Sequence, residues 1–221
     1  MSLQEKVSRI LNDGVANSPF AGAVYSAVDR DGHIIVEEAA GLRALGCEDK
    51  MTMHTIFPIF STTKTITCIA WSNAGSSPST RRSKKIVPEF AQIRVLQGDG
   101  TLKPAQNKIT LRMLLAHTLG HAYGPTNDNL RKHLHIQGSI VPEFSGKRKD
   151  LLDAPLIYEP GTSWEYGVGL DWAGEVISRV SGLTLGQYFE ENIYQPLGVR
   201  CIYLYIFAAL VNVHRRYSVK A

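Results

Sequence analysis

The chain has 221 residues, of which 44% are hydrophobic and 20% are charged, and its formal net charge is +4 at pH 7. This length allows one large domain or two small ones, and the apolar content is typical of a globular protein. The basic residues form short separate clusters at 81–85 and 147–149 without interleaved aromatics, so we expect no nucleic-acid partner.

Cysteine usage and apolar runs indicate the compartment. The three cysteines, Cys47, Cys68 and Cys201, have no metal-ligand spacing, which argues against a disulfide framework and fits a reducing environment. The first residues lack an apolar signal core, and the apolar run 202–213 is too short to cross a bilayer. We therefore expect a cytoplasmic protein without a membrane span. Cys68 lies in an apolar helical pattern and is predicted to be a small core residue.

The first third of the chain predicts a helix followed by a hairpin. Apolar residues at helical spacing over 3–11 predict a helix that stops at Asn12-Asp13-Gly14. Residues 20–28 and 33–39 predict two strands, and the turn sequence 29–32 joins them into a β-hairpin. A loop then leads into an apolar helix that starts at Thr62.

That apolar helix runs into a segment of different character. Residues 72–83 have no apolar face and contain Gly75 and Pro78, so they predict a flexible linker that ends the helix at Trp71. Codons for residues 70–81 can be chosen that encode an amphipathic helix end in a shifted reading frame. We therefore hypothesise that the segment from about 71 to about 83 is frame-shifted.

Helical patterns return in the second half. Thr110 is predicted to cap a helix with apolar positions Leu111, Leu114 and Leu115, whereas residues 120–150 are predicted to be loop-rich. Two helices are predicted over 170–180 and 185–194. Ser181-Gly182 separates them, and the turn at 196–198 ends the second.

Ser61-Thr-Thr-Lys64 is the pair with the clearest chemical meaning. Residues three apart on a helix share one face, so the Lys64 amine can reach the Ser61 hydroxyl. A serine at a helix N-terminus lies where developing negative charge is favoured, as an activated nucleophile requires. Taken alone, the motif also fits an N-capping serine followed by a solvated lysine.

Three further segments of the chain, together with the one that contains this motif, match the motifs of a known family. Residues 60–67, 109–118, 158–174 and 186–198 resemble, in order, the motifs of the serine β-lactamase and penicillin-binding-protein superfamily. Within it, the chain is most similar to class C-like esterases and fungal transesterases. The resemblance implies an α/β (α+β) fold of the β-lactamase/transpeptidase type, with the N-terminal helix and hairpin plus a helical domain. It covers residues 1–198 as a partial domain and leaves residues 199–221 as a tail of different character.

The resemblance implies three catalytic residues. Ser61 would attack the acyl carbonyl, Tyr166 would accept the serine proton, and Lys64, partly desolvated, would assist and lower the pKa of Tyr166. Tyr166 could instead be a packed aromatic residue. Relatives often carry Tyr-x-Asn, whereas this chain has Tyr166-Gly-Val168, which favours a small-molecule ester or thioester substrate over a β-lactam. An acyl carrier is one candidate donor, and no cofactor or metal is implied.

A third family element, a strand with Lys/His/Trp-x-Gly, is not found. Trp172-Ala-Gly174 has these letters but lies in a predicted helix. We therefore expect a truncated chain without the C-terminal sheet strands, poorly stable and weakly active. An inactive remnant and a non-enzymatic binding protein of the same fold stay open as alternatives.

Other candidate residues carry weaker signals. His117 and His121 have the i, i+4 spacing of zinc ligands without the glutamate, and His133 and His135 read as surface residues. The aromatic residues Trp164, Trp172, Tyr123 and Tyr158 are candidates to line an acyl pocket, although core packing is the default interpretation for any one of them.

Overall fold

A computed structural model describes residues 1–74, 86–138 and 153–199. The chain divides into two compact units, Met1–Pro58 and Ile59–Ala221. No helix among the described residues is long and apolar enough to span a membrane. The frame-shift hypothesis falls largely on residues 75–85, and almost all of the predicted tail falls on residues 200–221. Both segments lie outside the described residues, so these interpretations stay predictions.

The first unit begins with helix α1, Leu3–Ala16. Its N-terminus is a capping box: the Ser2 hydroxyl accepts the Glu5 N–H, and the Glu5 carboxylate accepts the Ser2 N–H. The predicted stop at residues 12–14 is wrong. The Asn12 amide donates to the Ser8 carbonyl at 2.8 Å, one turn back, so its side chain bonds within the helix rather than forming a turn.

The predicted hairpin is present. Strands β1, Gly22–Val28, and β2, Ile34–Gly41, pair antiparallel, with a shift in register at Ala27/Val28. The turn is held by Asp29, whose carboxylate accepts the N–H groups of Asp31 and His33 at 2.9 Å. Gly32 takes a positive φ of 86°, which suits a residue without a Cβ. Helix α1 packs against β2.

The second unit opens with a 3₁₀ turn, Phe60–Thr62, that continues into helix α2, Thr63–Asn73. The predicted end of this helix at Trp71 is wrong by two residues, since the Trp71 side chain is buried and anchors the last turn. The prediction that Cys68 is a core residue is also wrong. The buried residues of α2 are Thr67, Ala70 and Trp71, and Cys68 points away from them into solvent.

Small strands and helices follow. In chain order they are β3, Arg94–Leu96; β4, Leu102–Pro104; α3, Leu111–Leu115; α4, Asp128–Ile136; α5, Gly169–Ser181; and α6, Leu185–Phe189, continued by a π-helical turn, Glu190–Tyr194. Strands β3 and β4 form a second antiparallel pair. The two helices predicted over 170–180 and 185–194 are confirmed, and a complete capping box of Thr184 and Gln187 starts α6.

Two local predictions in this region are incomplete. Residues 120–150 were predicted to be loop-rich and no helix was predicted there, yet α4 forms among them because Asn127 caps it and Leu130 and Leu134 bury one face. Thr110 does stand at the N-cap of α3, yet its side chain makes no capping hydrogen bond. Short helices with few apolar residues are stabilised by tertiary packing, which a local pattern does not contain.

Helix α5 is the centre of the second unit and packs against α2, α3 and α6. Its buried face contains Trp172, Ala173, Val176 and Ile177, in contact with the main apolar cluster. At its C-terminal end the Arg179 guanidinium donates to Glu175, to both carboxylate oxygens of Glu89 and to the Ile86 carbonyl, at 2.5–2.9 Å. These bonds fix the segment that begins at residue 86 against α5.

Candidate active site

Ser61 lies in the 3₁₀ turn immediately before α2, and its side chain is exposed. The residue before it, Phe60, has a φ of 41°, in the left-handed region that residues with a side chain rarely adopt. Strained backbone of this kind concentrates at functional sites, where the surrounding structure maintains it. The turn thus presents the Ser61 hydroxyl at the start of the helix, as the motif predicted.

Lys64 connects Ser61 to two tyrosines. Its ammonium donates to the Ser61 Oγ at 3.5 Å and to the Tyr123 hydroxyl at 3.2 Å. The same nitrogen lies 4.9 Å from the centre of the Tyr166 ring. The structure therefore brings together all three residues predicted to be catalytic, and it adds Tyr123.

Tyr123 was predicted only as a candidate pocket residue. It stands at the start of the 3₁₀ turn Gly124–Thr126 and is 59 residues from Lys64 in sequence. Its ring lies 5.6 Å from that of Tyr166, centre to centre, so the two phenols flank the lysine together. No local motif relates Tyr123 to Ser61 or Lys64, and only the fold shows the contact.

The loop carrying Tyr166 passes very close to another stretch of backbone. A Cβ added at Gly167 would lie 2.2 Å from the His121 carbonyl oxygen and 3.0 Å from the Ala122 Cα. Any residue with a side chain would therefore displace the loop. The glycine of the Tyr166-Gly-Val168 sequence is required by this close approach, and it holds Tyr166 at its place beside Lys64.

Gly167→Ala is expected to lower the free energy of unfolding by about 1–3 kcal/mol, since the added methyl group must push backbone apart. It should also slow any acylation of Ser61, because Tyr166 moves with the loop. Urea unfolding and a serine-reactive probe measure the two effects. Gly14→Ala is the matched control: nothing lies within 4 Å of a Cβ at that position, so stability should be unchanged or slightly higher. Equal behaviour of the two variants would contradict the close-approach argument.

The protonation behaviour of Lys64 follows from its neighbours. Burial alone would lower its pKa, but the electrostatic interaction with Tyr123, the hydroxyls of the two neighbouring tyrosines and the charge of Asp171 outweigh burial and raise it. The amine therefore stays a cation at neutral pH. The effect of desolvation on the pKa of Lys64 is therefore smaller than the combined effect of the neighbouring groups.

Tyr166 shifts in the opposite direction. Desolvation raises its pKa, but the neighbouring Ser61 hydroxyl and the positive charge of Lys64 together lower it below the ordinary value of 10. For Tyr123, desolvation and the charge of Asp171 exceed the opposing effect of Lys64, and its pKa is raised. Of the two phenols, Tyr166 is thus the one more readily converted to a phenolate.

Asp171 is the acidic group of the site. It lies in the first turn of α5, and although its side chain reaches solvent, enough protein surrounds it for desolvation to raise its pKa, against the lowering effect of Lys64. No ion pair within 4.0 Å joins Asp171 to Lys64 among the described residues. Because the Asp171 carboxylate is exposed, water screens its charge interaction with Lys64.

Trp172 and His121 form a buried polar pair. The Trp172 indole donates to the His121 Nε2 at 3.1 Å, so neutral His121 carries its proton on Nδ1, which has no hydrogen-bond partner in the described part of the chain. Burial lowers the pKa of His121 to about 3. Trp172 is 2% exposed and lies in the main apolar cluster, in line with core packing, the default interpretation of these aromatic residues. The burial of His121 argues against a zinc ligand there.

His121 makes an acid-dependent contribution to stability. The unfolded histidine binds a proton near pH 6.5, and the buried one only near pH 3, so the unfolded state holds more protons between these values. The free energy of unfolding should therefore fall by about 1.4 kcal/mol per pH unit as pH decreases below 6.5, and be unaffected by this group above it. Urea unfolding at pH 4.5–7.5 measures the slope.

His121→Gln is the non-titrating comparison, since its amide oxygen can accept the indole N–H. The difference in slope between the parent and this variant should correspond to about one proton. Parallel slopes would show that His121 is not buried in its neutral form.

The remaining aromatic candidates are Trp164 and Tyr158. Trp164 is 62% exposed, and the Tyr158 hydroxyl donates to the His117 carbonyl at 3.4 Å. Among the described residues, one group of potential metal ligands, Asp29, Asp31 and His33, stands in the hairpin turn with its ligand atoms within 4.8 Å of one another. The hydrogen bonds of the turn account for this grouping, and we assign no metal to it.

The sequence model of the family described as Beta-lactamase matches residues 7–209. The chain belongs to this beta-lactamase family. Its helix, hairpin and helical region are those of the β-lactamase/transpeptidase-like fold, as the sequence predicted. A solved structure from Aspergillus terreus, unliganded simvastatin synthase (LovD), is similar with a TM-score of 0.72 and 27% identity, over 90% of this chain and 53% of that one.

Two curated members of the family are similar to most of this chain but only over about half of their own length. Lovastatin esterase of Penicillium rubens is 34% identical, over 80% of this chain and 47% of the esterase. Monacolin J acid methylbutanoyltransferase of Aspergillus terreus is 30% identical, over 84% of this chain and 48% of the transferase. The chain thus spans about half the length of these relatives. Both names describe ester chemistry, one hydrolytic and one acyl-transferring.

Proposed function

We propose that this beta-lactamase family member is a serine esterase or acyltransferase that forms an acyl-enzyme on Ser61. The observation that carries the proposal is the bonding of Lys64, which contacts Ser61 and Tyr123 and lies beside the Tyr166 ring. An N-capping serine with a solvated lysine would not need two phenols around the ammonium. The names of the esterase and transferase relatives support the same chemistry.

The proposed reaction has two halves. The Ser61 Oγ attacks the acyl carbonyl while its proton passes to Tyr166; the bond to the donor's oxygen or sulfur then breaks, and Tyr166 returns the proton to that leaving group. In the second half, water or an alcohol attacks the acyl-enzyme, and Tyr166 removes and returns a proton in the same manner. Lys64 stays cationic throughout and stabilises the phenolate, consistent with the directions of the two pKa shifts.

The proposed substrate is a small-molecule ester or thioester, with an acyl-carrier thioester as a candidate donor. Val168 stands where relatives with Tyr-x-Asn have an amide donor, and it is buried, so it offers no hydrogen bond to an amide substrate. The cytoplasmic location expected from the cysteines stays a prediction alongside this substrate class.

A non-catalytic role is the second candidate. Among the 221 residues, the pattern Lys/His/Trp-x-Gly occurs at Trp172-Ala-Gly174, which lies in helix α5 rather than on a strand. One oxyanion donor is typically worth about 3–4 kcal/mol of transition-state stabilisation, and this segment does not supply it. The fold could instead bind ligands without turning them over.

Labelling with a fluorophosphonate separates the two functions. Stoichiometric modification mapped to Ser61 by mass spectrometry, together with turnover of a p-nitrophenyl ester, is expected for the enzyme. Because Val168 offers no hydrogen bond to an amide substrate, we expect the ester to react faster than a chromogenic cephalosporin. Cooperative unfolding without labelling would instead support the binding protein, and absence of a cooperative transition would support the remnant.

A further inference from the structure

His117 is an unusual residue in the backbone of the site. It directly follows the C-cap of α3 and has a φ of 55°. Among the described residues, only Phe60 and His117 combine a side chain with a positive φ. Such a conformation costs of order 1–3 kcal/mol and persists only where the surrounding contacts maintain it. Phe60 directly precedes Ser61 in the chain. His117 contacts the Tyr166 ring and the backbone of the residues on either side of it.

His117 holds both neighbours of Tyr166. Its backbone carbonyl accepts the Glu165 N–H at 3.0 Å, and its ring Nδ1 accepts the Gly167 N–H at 3.2 Å. The His117 and Tyr166 rings lie 4.7 Å apart, centre to centre, at an angle of 37°. One residue thus contacts the backbone on either side of Tyr166 and one face of its ring.

These contacts require one protonation state. The Nδ1 can accept the Gly167 N–H only when it is unprotonated, so the neutral ring carries its proton on Nε2. Desolvation and the positive charge of Lys64 lower the pKa of His117 and maintain this neutral form. The Tyr158 hydroxyl also donates to the His117 backbone carbonyl. This oxygen therefore accepts two hydrogen bonds, which hold the backbone of His117 in place.

We propose that His117 is a positioning residue that holds Tyr166 in register with Lys64 and Ser61 through the bond from the Gly167 N–H to its ring nitrogen. The inference rests on the proposed role of Tyr166 as proton carrier. A displacement of about 1 Å in a reacting group can cost roughly a hundredfold in rate. Loss of this bond should therefore slow acylation without changing the affinity for the acyl donor.

His117→Asn and His117→Gly form a matched pair. Both residues tolerate a positive φ, both keep the backbone carbonyl, and both lack the ring. Only asparagine offers an acceptor, its Oδ1, at about the position of the histidine Nδ1. The difference between the two variants therefore reports the side-chain acceptor rather than backbone strain or ring stacking. Urea unfolding of both variants checks that they are folded.

The readout is the rate at which a fluorophosphonate phosphonylates Ser61 with release of fluoride, resolved into a maximal rate and a half-saturating concentration. We expect the maximal rate of His117→Gly to be at least about tenfold below that of the parent, with His117→Asn within about threefold of it. The half-saturating concentration should be the same in all three. Equal maximal rates in the asparagine and glycine variants would overturn the proposal.

A second measurement does not depend on activity. The ¹⁵N NMR shifts of the His117 ring, assigned by their disappearance in His117→Asn, should show an unprotonated Nδ1 and a protonated Nε2 at pH 7. A protonated Nδ1 would overturn the inference. If the parent is not acylated at all, the proposed function fails, whereas the NMR result still decides whether His117 holds the Tyr166 loop.

Discussion

Replacing Ser61 with alanine is expected to abolish fluorophosphonate labelling and p-nitrophenyl ester turnover, leaving only the uncatalysed rate. The Ser61 hydroxyl is the proposed nucleophile, and it stands at the helix start in contact with Lys64. Without it, no acyl-enzyme can form, and the remaining groups have no covalent intermediate to stabilise. Because the side chain is exposed, the fold should be unaffected, and urea unfolding should coincide with that of the parent.

Ser72→Ala is the control for this loss. Ser72 lies in the same helix, is also exposed, and donates only to the Cys68 carbonyl one turn back. Its replacement should leave labelling and turnover within about twofold of the parent, since surface substitutions of this kind change little. Ester turnover in Ser61→Ala at the rate of the parent would refute the assignment of the nucleophile. Loss of turnover in Ser72→Ala as well would show that the effect is not specific to Ser61.

Tyr166→Phe should keep the fold and lower the acylation rate by roughly 10²–10⁴-fold. The ring and its contacts with His117 and Tyr123 are retained, while the hydroxyl that we propose exchanges a proton with Ser61 is removed. Because the pKa of Tyr166 is lowered, the rate of the parent should rise with pH toward that lowered pKa as the phenolate forms. The variant should lack this dependence.

Tyr123→Phe distinguishes the two phenols. The pKa of Tyr123 is raised, so its hydroxyl stays protonated and accepts the bond from Lys64 without serving as a base. We expect a smaller loss of rate, with the pH dependence of the parent retained. A Tyr166→Phe variant within about threefold of the parent would reduce Tyr166 to a packing residue, and a larger effect of Tyr123→Phe would transfer the proton-carrying role to Tyr123.

Local chemistry was sufficient for much of the helical framework. The periodicity over 170–180 and 185–194 predicted α5 and α6 with its continuation, because each helix buries one apolar face and has its own end signals. The hairpin could be predicted from its turn, where Asp29 bonds to the backbone two and four residues on. These features depend on residues within a few positions of one another.

Local chemistry failed where distant packing decides the outcome. The side of α2 that is buried is determined by α5, which is far away in sequence, and this is why Cys68 was predicted to be inside and is outside. Helix α4 was missed because its stability comes from Leu130 and Leu134 packing against a separate apolar cluster rather than from a strong local pattern.

The same distinction between local patterns and distant contacts applies to the candidate active site. The sequence by itself determined the Ser61–Lys64 pair, since three residues of helix bring a lysine back to a serine whatever the rest of the chain does. Tyr166 came from the family resemblance rather than from spacing. The tertiary structure alone decided that Tyr123 contacts the lysine and that His117 holds the Tyr166 loop, across separations of 59 and 50 residues. Hydrogen bonds between residues so far apart exist only once α2, α3 and α5 have packed, and no pattern of neighbouring residues encodes them.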